Sequence, residues 1–97
     1  MDKIFKALAD INRRRIISLL REREMSVNEI VNCLDIGQAT VSSHLLVLKK
    51  AGLVNLRIET KKHFYNINWE ILGKFIKKLN KFNRFELDEL ILRRKGY

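Results

Sequence analysis

The sequence predicts a mainly α-helical fold with a small β-hairpin, which is an α+β class. Apolar residues recur about every 3.6 positions up to residue 51, as in helices that bury one face. Between residues 54 and 67 apolar and polar residues alternate, as in strands, and the helical spacing returns at Trp69. Because the chain has no proline and no Gly/Ser-rich linker, residues 1–97 are predicted to form one domain.

Two helices are predicted before residue 24. The first is short, and its apolar side is formed by Ile4, Phe5 and Leu8. Asp10 is a plausible N-cap for the second helix, since a carboxylate can accept hydrogen bonds from free backbone amides. This helix runs to about Arg23 and buries Ile16, Leu19 and Leu20.

A helix–turn–helix is predicted next. Ser26 and Glu29 have the spacing of a capping box, so a third helix begins there, with a core stripe of Val27, Ile30, Val31 and Leu34. Gly37 is the expected N-cap of a fourth helix, which runs from Gln38 to about Ala51 and buries Val41, Leu45 and Leu48. Gly52 is expected to end it at the C′ position.

A β-hairpin with a charged tip follows the fourth helix. Val54, Leu56 and Ile58 alternate with polar residues on the first strand, and Tyr65 and Ile67 do so on the second. Between the strands lies the polar, basic stretch 59–62. A hairpin is therefore predicted over residues 54–67.

The last segment is predicted to be an amphipathic helix that begins at Trp69. Its apolar face consists of Leu72, Phe75, Ile76, Leu79 and Phe82, and a stripe of lysines lies opposite, at Lys74, Lys77, Lys78 and Lys81. Asn83 and Glu86 could cap a further helix that carries Leu87, Leu90 and Ile91. The sequence leaves open whether residues 69–95 form one helix or two.

The composition points to a polyanionic partner. Twenty Lys and Arg residues against 11 Asp and Glu give a net charge of +9. DNA, RNA or an anionic membrane would match this charge. A single cysteine, Cys33, fits a reducing compartment. The sequence contains neither a secretory signal nor an apolar run long enough to span a membrane, so a cytoplasmic location is expected.

The predicted order α-α-α-α-β-β-α(-α) is that of a winged helix-turn-helix. The stretches FKALADINRRRIISLL (residues 5–20), SVNEIVNCLDIGQATVSSHLLVLKKAGLV (26–54) and KKHFYNI (61–67) resemble the ArsR/SmtB family of dimeric transcriptional repressors. The resemblance covers residues 4–68 and implies a homodimeric repressor that binds double-stranded DNA. A repressor of this kind would bind an inverted repeat through the helix 38–51 and the wing 59–63.

The fourth helix has an outer side that suits the major groove of DNA. Small or hydroxylated side chains can approach base edges and offer donors and acceptors there. The predicted base or groove contacts are Gln38, Ala39, Thr40, Ser42 and Ser43, and the predicted phosphate contacts are Lys49, Lys50, Arg57, Lys61 and Lys62. Leu46 departs from the family, because its outward position is often polar, and it could alter DNA affinity or pair with another apolar surface. His44 is interpreted as half-buried rather than as a base contact.

Dimerisation is predicted through the first and last helices, whose apolar faces exceed what a small helical core needs. The interface residues are Ile4, Phe5, Leu8, Leu72, Phe75, Ile76, Leu79 and Phe82.

Neither metal nor cofactor is expected. One class of relatives places a C-x-C pair early in the third helix, where this chain has Ser26 and Asn28, and another uses Asp and His on the last long helix, where this chain has no His after Trp69. Cys33 is expected to be a half-buried apolar residue.

Three functions compete at this stage. A DNA-binding transcription regulator is favoured by the polar outer face of the fourth helix. A winged-helix module that mainly binds protein or RNA is the main alternative, and Phe64 is the best candidate for stacking on an RNA base. A basic peripheral membrane protein is a third interpretation. An enzyme is not predicted, because the sequence presents no nucleophile–base pair, metal set or phosphate loop.

Overall fold

The helices and strands follow one another along the chain in nearly the predicted order. The computed structural model describes residues 2–81, in which five helices and three strands are found. Their bounds in chain order are α1 Asp2–Leu8, α2 Ile11–Glu22, β1 Met25–Ser26, α3 Val27–Leu34, α4 Gln38–Lys50, β2 Val54–Glu59, β3 Lys62–Ile67 and α5 Trp69–Asn80. The mainly α-helical fold with a β-hairpin is confirmed.

Capping groups set the helix ends as the sequence predicts. Asp10 accepts hydrogen bonds from the backbone amides of Asn12 at 2.8 Å and Arg13 at 3.2 Å, so α2 begins directly after it. Ser26 and Glu29 form the predicted capping box, in which each side chain accepts from the other residue's backbone amide.

The end of α4 is a Schellman motif. The amide of Gly52 donates to the carbonyl of Lys49 and the amide of Leu53 to that of Leu48, at 2.9 and 3.0 Å. Gly52 has a φ of 83°, a left-handed conformation that glycine adopts without strain. Ala51, predicted to end the helix, is its C-cap instead.

The sheet contains one strand that the sequence prediction omitted. β1 pairs antiparallel with β3, with Met25 opposite Tyr65, so the strand order is β1-β3-β2. A strand of two residues is too short to show alternation, which is why only the cap at Ser26 was visible in the sequence. The pairing ties the hairpin to the start of α3.

The core lies where the three central helices meet the base of the hairpin. Its fully buried side chains are Ile16, Ile30, Val41, Leu45, Leu48 and Leu53. The predicted core positions of α2, α3 and α4 are therefore confirmed in the main. Ile58 is exposed despite the alternation of β2, because it lies near the hairpin tip, opposite His63.

Several predicted features fall beyond the described part of the chain. These are Phe82 of the dimer face, the cap at Asn83 and Glu86, and the helix that would carry Leu87, Leu90 and Ile91. Within residues 2–81, the longest apolar helix still falls short of what a bilayer crossing requires.

Candidate nucleic-acid interface

The outward side of α4 is the first part of the candidate interface. Val41, Leu45 and Leu48 turn completely inward and fix the rotation of the helix. The polar and small residues predicted to meet DNA are consequently all exposed: Gln38, Ala39, Thr40, Ser42, Ser43, Lys49 and Lys50. Their contact with DNA stays a prediction, but their accessibility is a property of the fold.

The two ends of α4 carry different groups. Its N-cap is Gly37, which has no side chain to satisfy the first backbone amides. These amides and the positive end of the helix dipole suit an anion such as a phosphate. At the other end, Lys49 and Lys50 provide positive side chains in the last turn.

The hairpin forms a wing whose tip is a two-residue turn. Thr60 and Lys61 have φ values of 50° and 68°, and two successive positive values are typical of a type I′ hairpin turn. The backbone is strained at Thr60, since a β-branched residue rarely adopts this conformation. The turn leaves Lys61 and Lys62 exposed at the tip, and within residues 2–81 neither forms an ion pair.

Arg57 lies on the wing but is held by protein groups. Its guanidinium binds the carboxylates of Glu24 and Glu59 and lies 4.8 Å from the ring centre of Phe64. These carboxylates raise the pKa of Arg57, first Glu24 and then Glu59. The predicted phosphate contact of Arg57 is untested, and its charge is already balanced within the protomer.

An open groove of about 620 Å³ joins α4 to the wing. Gln38 and Ser42 line it from the helix, and Lys61 and Lys62 line it from the wing. The start of α3 forms a further side of the groove, and Asn28 is one of the residues that line the groove there. The fold therefore brings one predicted base-reading pair and one predicted phosphate-binding pair to the same concave surface.

His44 is held inside the helical body. Its side chain is 14% exposed, its Nδ1 accepts from Nε of Arg13 at 3.3 Å, and its Nε2 lies 3.9 Å from Oδ1 of Asp10. The interpretation of His44 as half-buried is confirmed. Arg13, which the sequence analysis did not single out, also donates to the carbonyls of Lys6 and Ala7 and so links α1, α2 and α4.

The predicted dimerisation residues that the structure describes are buried, exposed or half-buried in the protomer. Phe75 is buried within the protomer, where its ring meets that of Phe5 edge to face at a centroid distance of 5.2 Å. Phe5 and Ile76 remain 39% and 47% exposed. Trp69, an apolar residue that was not predicted as an interface residue, is 58% exposed. The half-buried members of the set are Ile4, Leu8, Leu72 and Leu79.

Ser26 and Asn28 stand at the two positions where the sequence resemblance would place a pair of metal-binding thiolates. The Ser26 hydroxyl accepts from the amide of Glu29 as a cap, and Asn28 offers only an amide. Residues 2–81 bring together no group of three or more His, Cys, Asp or Glu side chains that could hold a metal.

Cys33 is exposed, so the expectation that it is half-buried was wrong. It lines a shallow surface depression between α3 and α2, together with Leu34, Ser18 and Leu19.

Comparison with known proteins gives matches over most of this chain. Residues 10–55 match the arsR family of bacterial regulatory proteins. The chain is 30% identical over 89 residues to the transcriptional repressor SdpR of Bacillus subtilis, covering 91% of this chain and 99% of SdpR. It is 37% identical over 65 residues to the transcriptional activator HlyU of Vibrio cholerae, covering 67% of this chain but only 60% of HlyU.

A solved structure supports the same comparison. The homodimeric winged helix-turn-helix DNA-binding domain of Mb0332 from Mycobacterium bovis superposes with a TM-score of 0.71 at 29% identity. The match covers 93% of this chain and 80% of that domain. The match thus extends well beyond the helix–turn–helix.

Proposed function

Because the chain belongs to the arsR family of bacterial regulatory proteins, we propose that it is a homodimeric transcriptional repressor that binds double-stranded DNA sequence-specifically. The main support for this proposal is the groove between α4 and the wing. Gln38 and Ser42 line it on one side, and Lys61 and Lys62 line it on the other. Repression would follow from occlusion of a promoter by the bound dimer. Such a regulator would act in the cytoplasm.

The two walls of the groove have separate tasks in this proposal. The first turns of α4 enter the major groove, where Gln38 can bond an adenine edge and Thr40, Ser42 and Ser43 reach bases or phosphates. Ala39 permits close approach. Lys61 and Lys62 on the wing and Lys49 and Lys50 on α4 bind phosphates, which position the protein without reading sequence. Arg57 contributes less, since Glu24 and Glu59 already bind it.

Two copies of the chain would present two such surfaces. Phe5, Trp69 and Ile76 are exposed apolar residues of α1 and α5, of the kind that a homodimer buries. A two-fold dimer places its α4 helices in successive major grooves, so the bound DNA should be an inverted repeat. The half-site centres should lie roughly 34 Å apart, which is one helical turn, or a multiple of it.

The proposed repressor does not respond to metals through the site types considered above. Ser26 and Asn28 provide hard, neutral donors where a thiophilic ion needs thiolates. The part of α5 that the structure describes offers no histidine. Any signal that releases the protein from DNA would therefore act elsewhere.

RNA binding through the wing is less well supported. Phe64 would have to stack on a base, but it is half-buried and Arg57 lies over its ring at 4.8 Å. The ring is thus occupied by the protein's own guanidinium.

Selection from random duplexes tests the proposal. The full chain is incubated with a library of random double-stranded DNA, and bound molecules are recovered and sequenced over several rounds. We expect an inverted repeat, and placing that repeat over a promoter should make reporter expression fall when the protein is present. Recovery of duplexes without any common sequence would contradict the proposal.

A further inference from the structure

Leu46 lies on the outward side of α4 and is 51% exposed. At about 100° per residue, it points within about 20° of Ala39 around the helix axis. Ala39, Ser42, Ser43 and Leu46 are spaced i, i+3, i+4 and i+7, and a homeodomain helix uses this same spacing to reach base edges in the major groove. Leu46 is thus in line with the residues proposed to read DNA.

The fold leaves about half of Leu46 uncovered. Leu45 and Leu48, its neighbours on α4, are completely buried and supply the core contacts of this part of the helix. An exposed leucine on a mostly polar face leaves apolar area in water, and a partner could bury that area. DNA and an apolar protein surface are the two partners that could cover Leu46.

The charges around Leu46 favour DNA over an apolar protein surface. Lys49 and Lys50 are both exposed, and they project about 60° and about 40° from Leu46 on its two sides. Lysine is depleted from the centres of protein interfaces, whereas a pair of lysines on either side of a groove-facing residue suits the two phosphate backbones. Leu46 would then point between the backbones, towards the base edges.

We propose that Leu46 determines part of the sequence specificity by contacting the 5-methyl group of a thymine in the major groove. That methyl group is the apolar feature that base pairs present there, and leucine can neither donate nor accept a hydrogen bond to the other groups. This inference rests on the proposed function, since it assumes that α4 enters the major groove. It adds Leu46 to the residues proposed to read the DNA sequence, and it names thymine as the base that Leu46 recognises.

Uracil substitution tests the contact one methyl group at a time. Each thymine of the selected duplex is replaced in turn by deoxyuridine, and affinity is measured by fluorescence anisotropy for the wild-type protein and for Leu46→Ala. We expect one thymine in each half-site at which uracil weakens wild-type binding about fourfold, the equivalent of about 0.8 kcal/mol for one buried methyl. With Leu46→Ala, the same replacement should have almost no effect.

Val47→Ala is the matched control. Val47 is also an exposed aliphatic residue of α4, but it projects about 100° away from Leu46. It should keep the fourfold discrimination. Both variants should melt at nearly the wild-type temperature, since neither changes a fully buried side chain, and a circular dichroism melt checks this.

Three outcomes would overturn the inference. If the protein selects a sequence but no thymine is coupled to Leu46, the contact is absent while the proposed function stands. If Leu46→Ala instead lowers self-association in sedimentation, Leu46 belongs to a protein contact. If no sequence is selected from random DNA, this inference and the proposed function both fail.

Discussion

The carboxylate of Glu24 binds the guanidinium of Arg57 in the middle of the first wing strand. Oε1 of Glu24 lies 2.6 Å from Nη2 and 3.1 Å from Nε of Arg57, and Oε2 accepts from Nδ2 of Asn66 at 3.0 Å. Glu24 lies between α2 and β1, whereas Arg57 and Asn66 are on β2 and β3. One carboxylate therefore joins both wing strands to the helical body and balances a wing charge.

Removing this carboxylate charge should strengthen non-specific DNA binding. In Glu24→Gln the Arg57 guanidinium keeps Glu59 as its one carboxylate partner among the described residues, so part of its charge becomes available to a phosphate. We expect tighter binding to a random duplex at low salt, and a plot of log affinity against log salt steeper by about 0.9, the value for one added phosphate contact. Fluorescence anisotropy across a salt series measures both quantities.

Glu22→Gln is the charge-matched control for Glu24→Gln. Glu22 is exposed at the end of α2 and pairs only with the neighbouring Arg21 among the described residues. Its substitution should change the slope much less. An equal effect of the two variants would mean that net charge matters and that release of Arg57 does not.

The same ion pair should make stability depend on pH in acid. The hydrogen bonds from Arg57, and then that from Asn66, lower the pKa of Glu24 below its ordinary value of 4.5. A carboxyl whose pKa is lower in the folded state stabilises the fold above pH 4.5, and this stabilisation is lost as the pH falls through the lowered pKa. Urea unfolding at a series of pH values should show stability falling below pH 4.5, with a shallower fall for Glu24→Gln. Parallel profiles for the two proteins would contradict this.

The sequence was most informative where local chemistry sets the structure. Asp10, Ser26 with Glu29, and Gly52 each cap a helix through groups within a few residues, so spacing alone located them. The outward face of α4 followed from Val41, Leu45 and Leu48 by helical periodicity.

Long-range contacts were not predictable in this way. The partners of Arg57 are Glu24, 33 residues away, and Glu59, two residues away on the same strand, and only the second spacing is local. Strand β1 exists because Met25 meets Tyr65, and two residues carry no periodic pattern. The contact of Phe75 with Phe5 joins α5 to α1 across 70 residues, and the dimer role of Phe75 stays a prediction.

The proposed dimer surface can be tested by adding a charge to it. Ile76→Glu should weaken self-association at least tenfold, because burying an aliphatic side chain contributes about 1.5–3 kcal/mol and the two-fold interface contains two copies. Ile11→Glu, at a similarly exposed isoleucine of α2, is the control and should leave the dimer intact. Analytical ultracentrifugation at micromolar concentration measures this. A wild-type protein that sediments as a monomer at every concentration would contradict the proposal.

Metal ions should not control DNA binding. Zn²⁺, Cd²⁺ or As(III) is added to the protein–DNA complex, and anisotropy is followed with and without a chelator. We expect no specific change, since Ser26 and Asn28 cannot replace thiolates. A stoichiometric site of submicromolar affinity that weakens DNA binding tenfold, or about 1.4 kcal/mol, would show this prediction to be wrong.

In the proposed complex α4 reads the base sequence, whereas the wing binds the DNA backbone. Gln38→Ala and Ser42→Ala remove groups from the helix side of the groove, and Lys62→Ala removes one from the wing side. Lys77→Ala, an exposed lysine of α5, is the charge-matched control for Lys62. All four variants keep the buried core unchanged.

Fluorescence anisotropy separates these two roles. The affinity of each variant is measured for the selected duplex and for a scrambled duplex across a salt series. Gln38→Ala should cost about 1–3 kcal/mol on the selected duplex and little on the scrambled one. Lys62→Ala should weaken both duplexes alike and lower the salt slope by about one, whereas Lys77→Ala should change neither. If Gln38→Ala and Ser42→Ala left affinity and specificity untouched, α4 would not be the reading element, and the winged helix would serve a partner other than DNA.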